Sequence, residues 1–172
     1  MSNILSIIAA KGYQDKEYGD SRTVLEQHGH TVATASTTEV AHGKFGGSVE
    51  ADLLLTDVDP EDYDAIVFIG GPGCYQYYND PIALDLARKF FESGKVTAAI
   101  CSGPGILANA GVLKGKKATC WDGEAERLKK SGATYTGEGV ERDGIIVTGA
   151  GPADAADFGE LIHEALVKNQ NI

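Results

Sequence analysis

Val96-Thr97-Ala98-Ala99-Ile100-Cys101-Ser102-Gly103-Pro104-Gly105 is the stretch on which the fold turns. Its first five residues are an unbroken apolar and β-branched run, the mark of a strand covered on both faces. Cys101 follows at once, then small residues, then a proline at the first turn of a helix that closes at Gly111. A strand ending on a nucleophilic side chain, flanked two positions away by small residues and leading directly into a helix, is the pattern of a nucleophile elbow. Here the flanks are Ala99 and Gly103. A lone cysteine is usually a small buried hydrophobe, but this setting makes Cys101 a candidate nucleophile, with the unpaired N–H groups of the helix start favouring thiolate over thiol.

The same grammar extends in both directions. Apolar runs at Ile4–Ala9, Thr31–Ala35, Ala65–Ile69 and Ile145–Thr148 alternate with helical patterns at Asp20–Gln27, Pro81–Glu92, Pro104–Ala110 and Ala153–Lys168. That alternation predicts a mostly parallel sheet with helices on both faces, an α/β flavodoxin-like three-layer sandwich. Two additions break it. Ser48–Thr56 reads as one extended segment, and Ala133–Val140 reads as a strand joined to Ile145 through the turn Arg142-Asp143-Gly144. The last residues, 168–172, read as a frayed tail.

Length and composition limit the function. With 172 residues, 42% apolar and 23% charged, the chain fits a single domain, residues 1–172, since roughly 100–200 residues is usual for one. Fifteen Lys and Arg against twenty-five Asp and Glu give a formal charge of −10, the wrong sign for a nucleic acid or an anionic membrane surface. The opening run is short and lacks a basic flank, so it reads as a strand rather than a signal peptide. A cytoplasmic protein is expected, consistent with only three cysteines, at positions 74, 101 and 120, too few and too odd for a disulfide framework. No phosphate-binding loop and no metal-ligand spacing stand out, so neither a cofactor nor a metal is expected.

Ligands of open α/β sheets bind beyond the carboxyl ends of the strands. Besides the elbow, that places Gly70-Gly71-Pro72-Gly73-Cys74-Tyr75 near the site. The backbone N–H of Gly71, with that of Ser102, is a candidate oxyanion or anion hole, and Gly70, Cys74, Tyr75 and Trp121 are candidate pocket residues. Tyr77 and Tyr78 are weighed between pocket and packing. Cys74 is also a candidate resolving partner for Cys101, whereas Cys120 reads as structural.

These motifs, with Leu107 through Thr119 (LANAGVLKGKKAT), Tyr63-Asp64-Ala65, Gly29-His30 and Gly151-Pro152, resemble the ThiJ/PfpI superfamily, whose members include deglycases and intracellular proteases and share a class I glutamine amidotransferase-like fold. The resemblance spans nearly the whole chain. It implies that Glu17 is the carboxyl group approaching the cysteine, and that the protein assembles as a homodimer or higher homo-oligomer. A protonated Glu17 would donate a hydrogen bond to the sulfur and stabilise thiolate. Two departures matter. Hydrolytic members carry histidine either directly after the cysteine or about twenty residues on, and these positions hold Ser102 and Trp121. Of the four histidines, only His42, in the glycine-rich segment Ala41–Gly47, is a candidate visitor to the site. The expected activity is therefore cysteine-dependent chemistry on a small reactive carbonyl, of glyoxalase III or deglycase type. The alternatives are a non-catalytic redox or stress sensor or chaperone working through oxidation of Cys101, and a PfpI-type peptidase or amidase.

Overall fold

The computed structural model describes residues 1–170. A seven-stranded sheet runs, edge to edge, through Val140–Asp143, Ile146–Gly149, Val96–Ile100, Ala65–Phe68, Asn3–Ile7, Thr31–Ser36 and Leu53–Leu54. All neighbours are parallel except the hairpin Val140–Asp143/Ile146–Gly149. Its turn is the expected one, with Gly144 at φ +64°. Five strands in the middle of the sheet carry the core: Ile4, Leu5, Ala35, Ile66, Phe68, Val96, Ile100 and Ile146 are inaccessible to solvent.

Among the described residues there are five α-helices: α1 (Asp15–Gln27), α2 (Pro81–Glu92), α3 (Pro104–Ala110), α4 (Ala125–Lys130), which packs on α3 and Thr134–Tyr135, and α5 (Ala155–Gln170). Helices α1 and α5 pack on each other, and α5 lies against Val96–Ile100 and Ile146–Gly149; α2 and α3 pair with each other and pack on Val96–Ile100. Helix α1 approaches α5 at Gly159, where a Cβ would crowd Val24 at 3.0 Å. Three layers result.

Helices α2 and α3 and the strand Val96–Ile100 have the bounds expected from their punctuation. Elsewhere the structure differs. Helix α1 begins at Asp15 rather than Asp20, because the Gln14 side chain accepts the Glu17 N–H (2.9 Å) and two acids, Asp15 and Glu17, occupy the electropositive first turn. The extended segment Ser48–Thr56 is broken into Ser48–Glu50, Leu53–Leu54 and a 3-10 turn at Leu55–Asp57. Ser48–Glu50 pairs antiparallel with Val40–Gly43, which in turn pairs parallel with Lys11–Tyr13, making a small three-stranded sheet. The expected strand Ala133–Val140 is likewise two pieces: Thr134–Tyr135 pairs with Lys117–Ala118, and only Val140–Asp143 joins the main sheet. After a 3-10 turn at Pro152–Asp154, the last helix does not fray at Lys168 but continues to Gln170. Asn169 Nδ2 donates to the Gly94 carbonyl (3.0 Å) and Gln170 Nε2 to Ser2 Oγ (2.6 Å), so its end is tied down. The remainder of the expected tail, residues 171–172, lies outside the described residues.

Candidate functional site

Four adjacent strand ends converge. Phe68 lies beside Ala99, Gly149 beside Ile100, and Ile7 beside Phe68, so the segments leaving these strands meet at one edge. Cys101 leaves its strand at φ +63° and is the sole non-glycine residue with positive φ among the described residues. The left-handed region costs a residue with a Cβ roughly 1–2 kcal/mol, so surrounding contacts must impose it. They do: the Cys101 N–H donates to the Gly149 carbonyl (2.9 Å), and its carbonyl accepts the Trp121 N–H (2.9 Å). A Cβ on Gly103 would lie 2.6 Å from the Phe68 carbonyl, which is why the residue two beyond the nucleophile must be small.

The sulfur faces three groups from three segments. Backbone N–H groups of Ser102 and Gly71 hydrogen-bond to it, and the Glu17 carboxyl contacts it from helix α1. Gly71 reaches this position at φ +105°, where a Cβ would collide with the Gly12 carbonyl at 2.5 Å. Ser102 contributes its amide rather than its hydroxyl, which donates to the Gly71 carbonyl (3.0 Å). Gly70 donates its N–H to Glu17 Oε1 (3.0 Å), and the other carboxyl oxygen, Oε2, is buried with no nitrogen or oxygen donor against it among the described residues.

Burial governs the protonation of this pair. Glu17 is 0% exposed; burial raises its carboxyl to about 7, against the Cys101 and Gly70 hydrogen bonds, which favour the charge. At Cys101 the helix start favours thiolate, whereas burial first, then the charge and hydrogen bond of Glu17, push the thiol up to about 12, and the Ser102 and Gly71 amides pull it down. The two groups titrate as one unit. A proton on Glu17 removes the charge that raises the thiol and supplies a donor to the sulfur.

A cleft of about 340 Å³ opens over the elbow, floored by Gly71, Cys101 and Ser102 and walled by Gln14, Pro72, Tyr75 and Trp121. This is near the small end of the ~300–1,000 Å³ typical of ligand pockets. Tyr75 and Trp121 thus line it, with Trp121 47% exposed. The Tyr75 hydroxyl donates to Glu124 Oε1 (2.8 Å), whose other oxygen accepts from Arg127 (2.9 Å). Tyr78 instead sits beneath the elbow, its hydroxyl donating to the Ser102 carbonyl (2.5 Å), and Tyr77 is a core residue bonded to the Ile8 carbonyl (2.7 Å). Gly70 lies behind Cys101 rather than on the wall, where a Cβ would meet both Cys101 Cβ and Glu17 Oε1 at 2.7 Å. Cys74 is fully buried and does not line the cleft; burial pushes its thiol to about 12, and Cys120, also buried, to about 12.

No histidine lines the cleft. His42 is exposed on the strand Val40–Gly43. The other three cluster elsewhere: His28 stacks on His163 at 3.7 Å between ring centroids, and His163 Nδ1 lies 2.9 Å from His30 Nε2. Among the described residues no group of three or more His, Cys, Asp or Glu side chains is placed to hold a metal ion, and no helix is long and apolar enough to cross a membrane.

Sequence reasoning missed Gln14, Lys44 and Phe45, which complete the cleft. Lys44 and Phe45 come from the tip of the Val40–Gly43/Ser48–Glu50 hairpin, which had registered only as glycine-rich.

A three-layer α/β sandwich carrying a strained cysteine between a strand and a helix, with a buried carboxyl against the sulfur, defines a nucleophile-elbow protein. The chain belongs to the DJ-1/PfpI family, which it matches over residues 3–165. It is 40% identical over 172 residues to an uncharacterized protein of Methanocaldococcus jannaschii, covering 98% of this chain and 84% of that one. It is 36% identical over 148 residues to Deglycase PfpI of Pyrococcus furiosus, covering 86% and 89% of the two chains. Among solved structures, a ThiJ/PfpI domain protein from Brachyspira murdochii superposes with a TM-score of 0.94 at 35% identity, covering 96% of each chain. Drosophila melanogaster DJ-1beta superposes at 0.88 with 28% identity, covering 99% of this chain and 95% of that one.

Proposed function

We propose that this protein is a cysteine-dependent enzyme acting on small reactive carbonyls, of glyoxalase III or deglycase type, with Cys101 as nucleophile and Glu17 as proton carrier. The observation that carries the reading is the buried Glu17 carboxyl set against the Cys101 sulfur in a cleft without histidine. The deglycase name of the P. furiosus relative points the same way. In the reactive form the pair's shared proton sits on Glu17 and the sulfur is a thiolate held by the Gly71 and Ser102 N–H groups.

With a 2-oxo aldehyde, the thiolate adds to the aldehyde carbon. A C–S bond forms, the carbonyl π pair moves to oxygen, and the Glu17 proton follows it to give a hemithioacetal. Ionised Glu17 then takes the C1 hydrogen as a proton and returns it to C2 through an enediol, while the C1 hydroxyl proton passes to the C2 oxygen, leaving the thioester of a 2-hydroxy acid. Water cleaves the C–S bond, releasing the acid and the thiol. Nothing is oxidised or reduced overall. Peptide cleavage needs an acid for the leaving amine, and Ser102 and Trp121, where hydrolytic members carry histidine, supply none. The substrate is a small molecule, and assembly is as a homodimer or higher homo-oligomer.

The test compares wild type, Cys101→Ser and Glu17→Gln on methylglyoxal and on a peptide panel, with alkylation of Cys101 followed against pH. Wild type is expected to form lactate and leave the peptides intact, both variants to lose turnover, and Glu17→Gln to remain alkylatable. An alkylation midpoint at the ordinary thiol value of about 8.5, or no lactate from wild type, refutes the reading. The two amides aimed at sulfur also favour a second reading, a redox sensor. There two equivalents of peroxide convert the thiolate to sulfinate, with two waters released, and the amides hold the product. A gain of two oxygens at Cys101 without turnover would select it.

A further inference from the structure

The hairpin tip that closes the cleft is a built feature, held by one carboxylate. Asp15, in the first turn of α1 and two residues before Glu17, accepts the N–H of Phe45 on Oδ1 (2.9 Å) and that of Gly47 on Oδ2 (2.7 Å). The Lys44 N–H donates to the Tyr13 carbonyl (2.9 Å), and the Gly43 N–H to the Gly47 carbonyl (2.9 Å). A Cβ at Gly43 or Gly47 would run into the Asp15 carboxylate, and Gly46 takes φ +92°. The glycines are therefore what lets the tip wrap around Asp15, and this wrapping carries Lys44 and Phe45 to the cleft.

Lys44 is the one formally charged side chain lining that cleft, in a chain whose net charge is −10. It makes no ion pair among the described residues, and its ammonium lies 5.6 Å from the centroid of the Phe45 ring. Phe45 is itself 69% exposed. An exposed cationic residue is thus placed on the lining of a small cleft whose floor presents two N–H donors, and among the described residues no Asp or Glu lines the walls.

We propose that Lys44 makes this site selective for reactive carbonyl compounds that carry a carboxylate, binding that anion while Cys101 attacks a carbon one or two bonds away. This rests on the carbonyl reading above and narrows its substrate class. The protein's overall negative charge repels such anions, so the local cation decides which small carbonyls dwell over the sulfur.

Charge selection can be read without turnover, using two alkylating probes of one size and opposite character: iodoacetate, an anion, and neutral iodoacetamide. Cys74 and Cys120 are buried, and peptide mass mapping assigns the label to Cys101. The ratio of the iodoacetate rate to the iodoacetamide rate is measured for wild type, Lys44→Ala, Lys44→Glu and Lys44→Arg at low salt. One unit charge a few ångströms from the probe in a half-solvated site predicts a ratio roughly three- to tenfold lower in Lys44→Ala. It should be lower still in Lys44→Glu and retained in Lys44→Arg, with the differences fading near 1 M salt. Equal ratios in wild type and Lys44→Ala overturn the proposal. The measurement needs only a thiolate, which higher pH supplies, so an inactive protein with an ordinary thiol would sink the carbonyl reading and leave the ratio to judge Lys44.

Discussion

Glu17→Gln should flatten part of the protein's pH-dependence of stability. The wild-type carboxyl has an ordinary value of 4.5 and is raised by burial to about 7 in the folded protein. A carboxyl raised on folding contributes stability that is fully present below 4.5 and lost as pH rises through about 7, because the unfolded chain releases its proton first. Between pH 4.5 and 7.5 the shift of about 2.5 pH units, at 1.36 kcal/mol per unit, corresponds to about 3 kcal/mol. Linkage counts protons on the Glu17–Cys101 pair wherever they sit, so the figure does not depend on which atom holds the shared one. Glutamine has no proton to lose. Urea unfolding of both proteins across this range, with m unchanged, should show the wild type losing about 3 kcal/mol relative to the variant as pH rises. Parallel curves, separated by a constant, would refute the claim that a buried carboxyl is being forced to ionise beside the sulfur.

Three further outcomes follow from the same geometry. Cys101→Gly should unfold at higher denaturant than Cys101→Ala, by about 1 kcal/mol in chemical denaturation, since only glycine relieves the positive φ; equal stabilities would mean the elbow is unstrained. Gly70→Ala pushes a methyl group toward Cys101 Cβ and Glu17 Oε1 and should abolish methylglyoxal turnover and cost on the order of 2 kcal/mol, both measurable on the purified variant. Tyr75→Phe removes the hydrogen bond to partly buried Glu124 and should cost about 1 kcal/mol in denaturation while leaving the Cys101 alkylation profile in place.

What could be read ahead of the structure depended on whether the signal was local. Asp80 accepting the Ile82 N–H, Pro81 beside it and Gly111 at φ +81° bound α2 and α3 with side chains adjacent to the elements they end, and those bounds were legible. Helix α1 was cut short because its first turn is charged, and the cap, Gln14, is not a residue that announces one. Glu17 looks like a solvated acid for the same reason; only the family resemblance set it apart from Asp15 and Lys16. The approach of Lys44 to the cleft rests on Asp15 meeting Gly43 and Gly47 about thirty residues away, a pairing that no periodicity encodes. The thiolate expected from a helix start is opposed by burial, because α3 is only seven residues long and Cys101 is half-buried beside Glu17.

Both backbone polar groups of Cys101 are tethered to segments outside its own strand and helix, one to Gly149 and one to Trp121. Its side chain carries none of that load. The mount and the reagent are therefore held by different contacts: the backbone of position 101 by Gly149 and Trp121, the sulfur by Glu17 and the Ser102 and Gly71 amides.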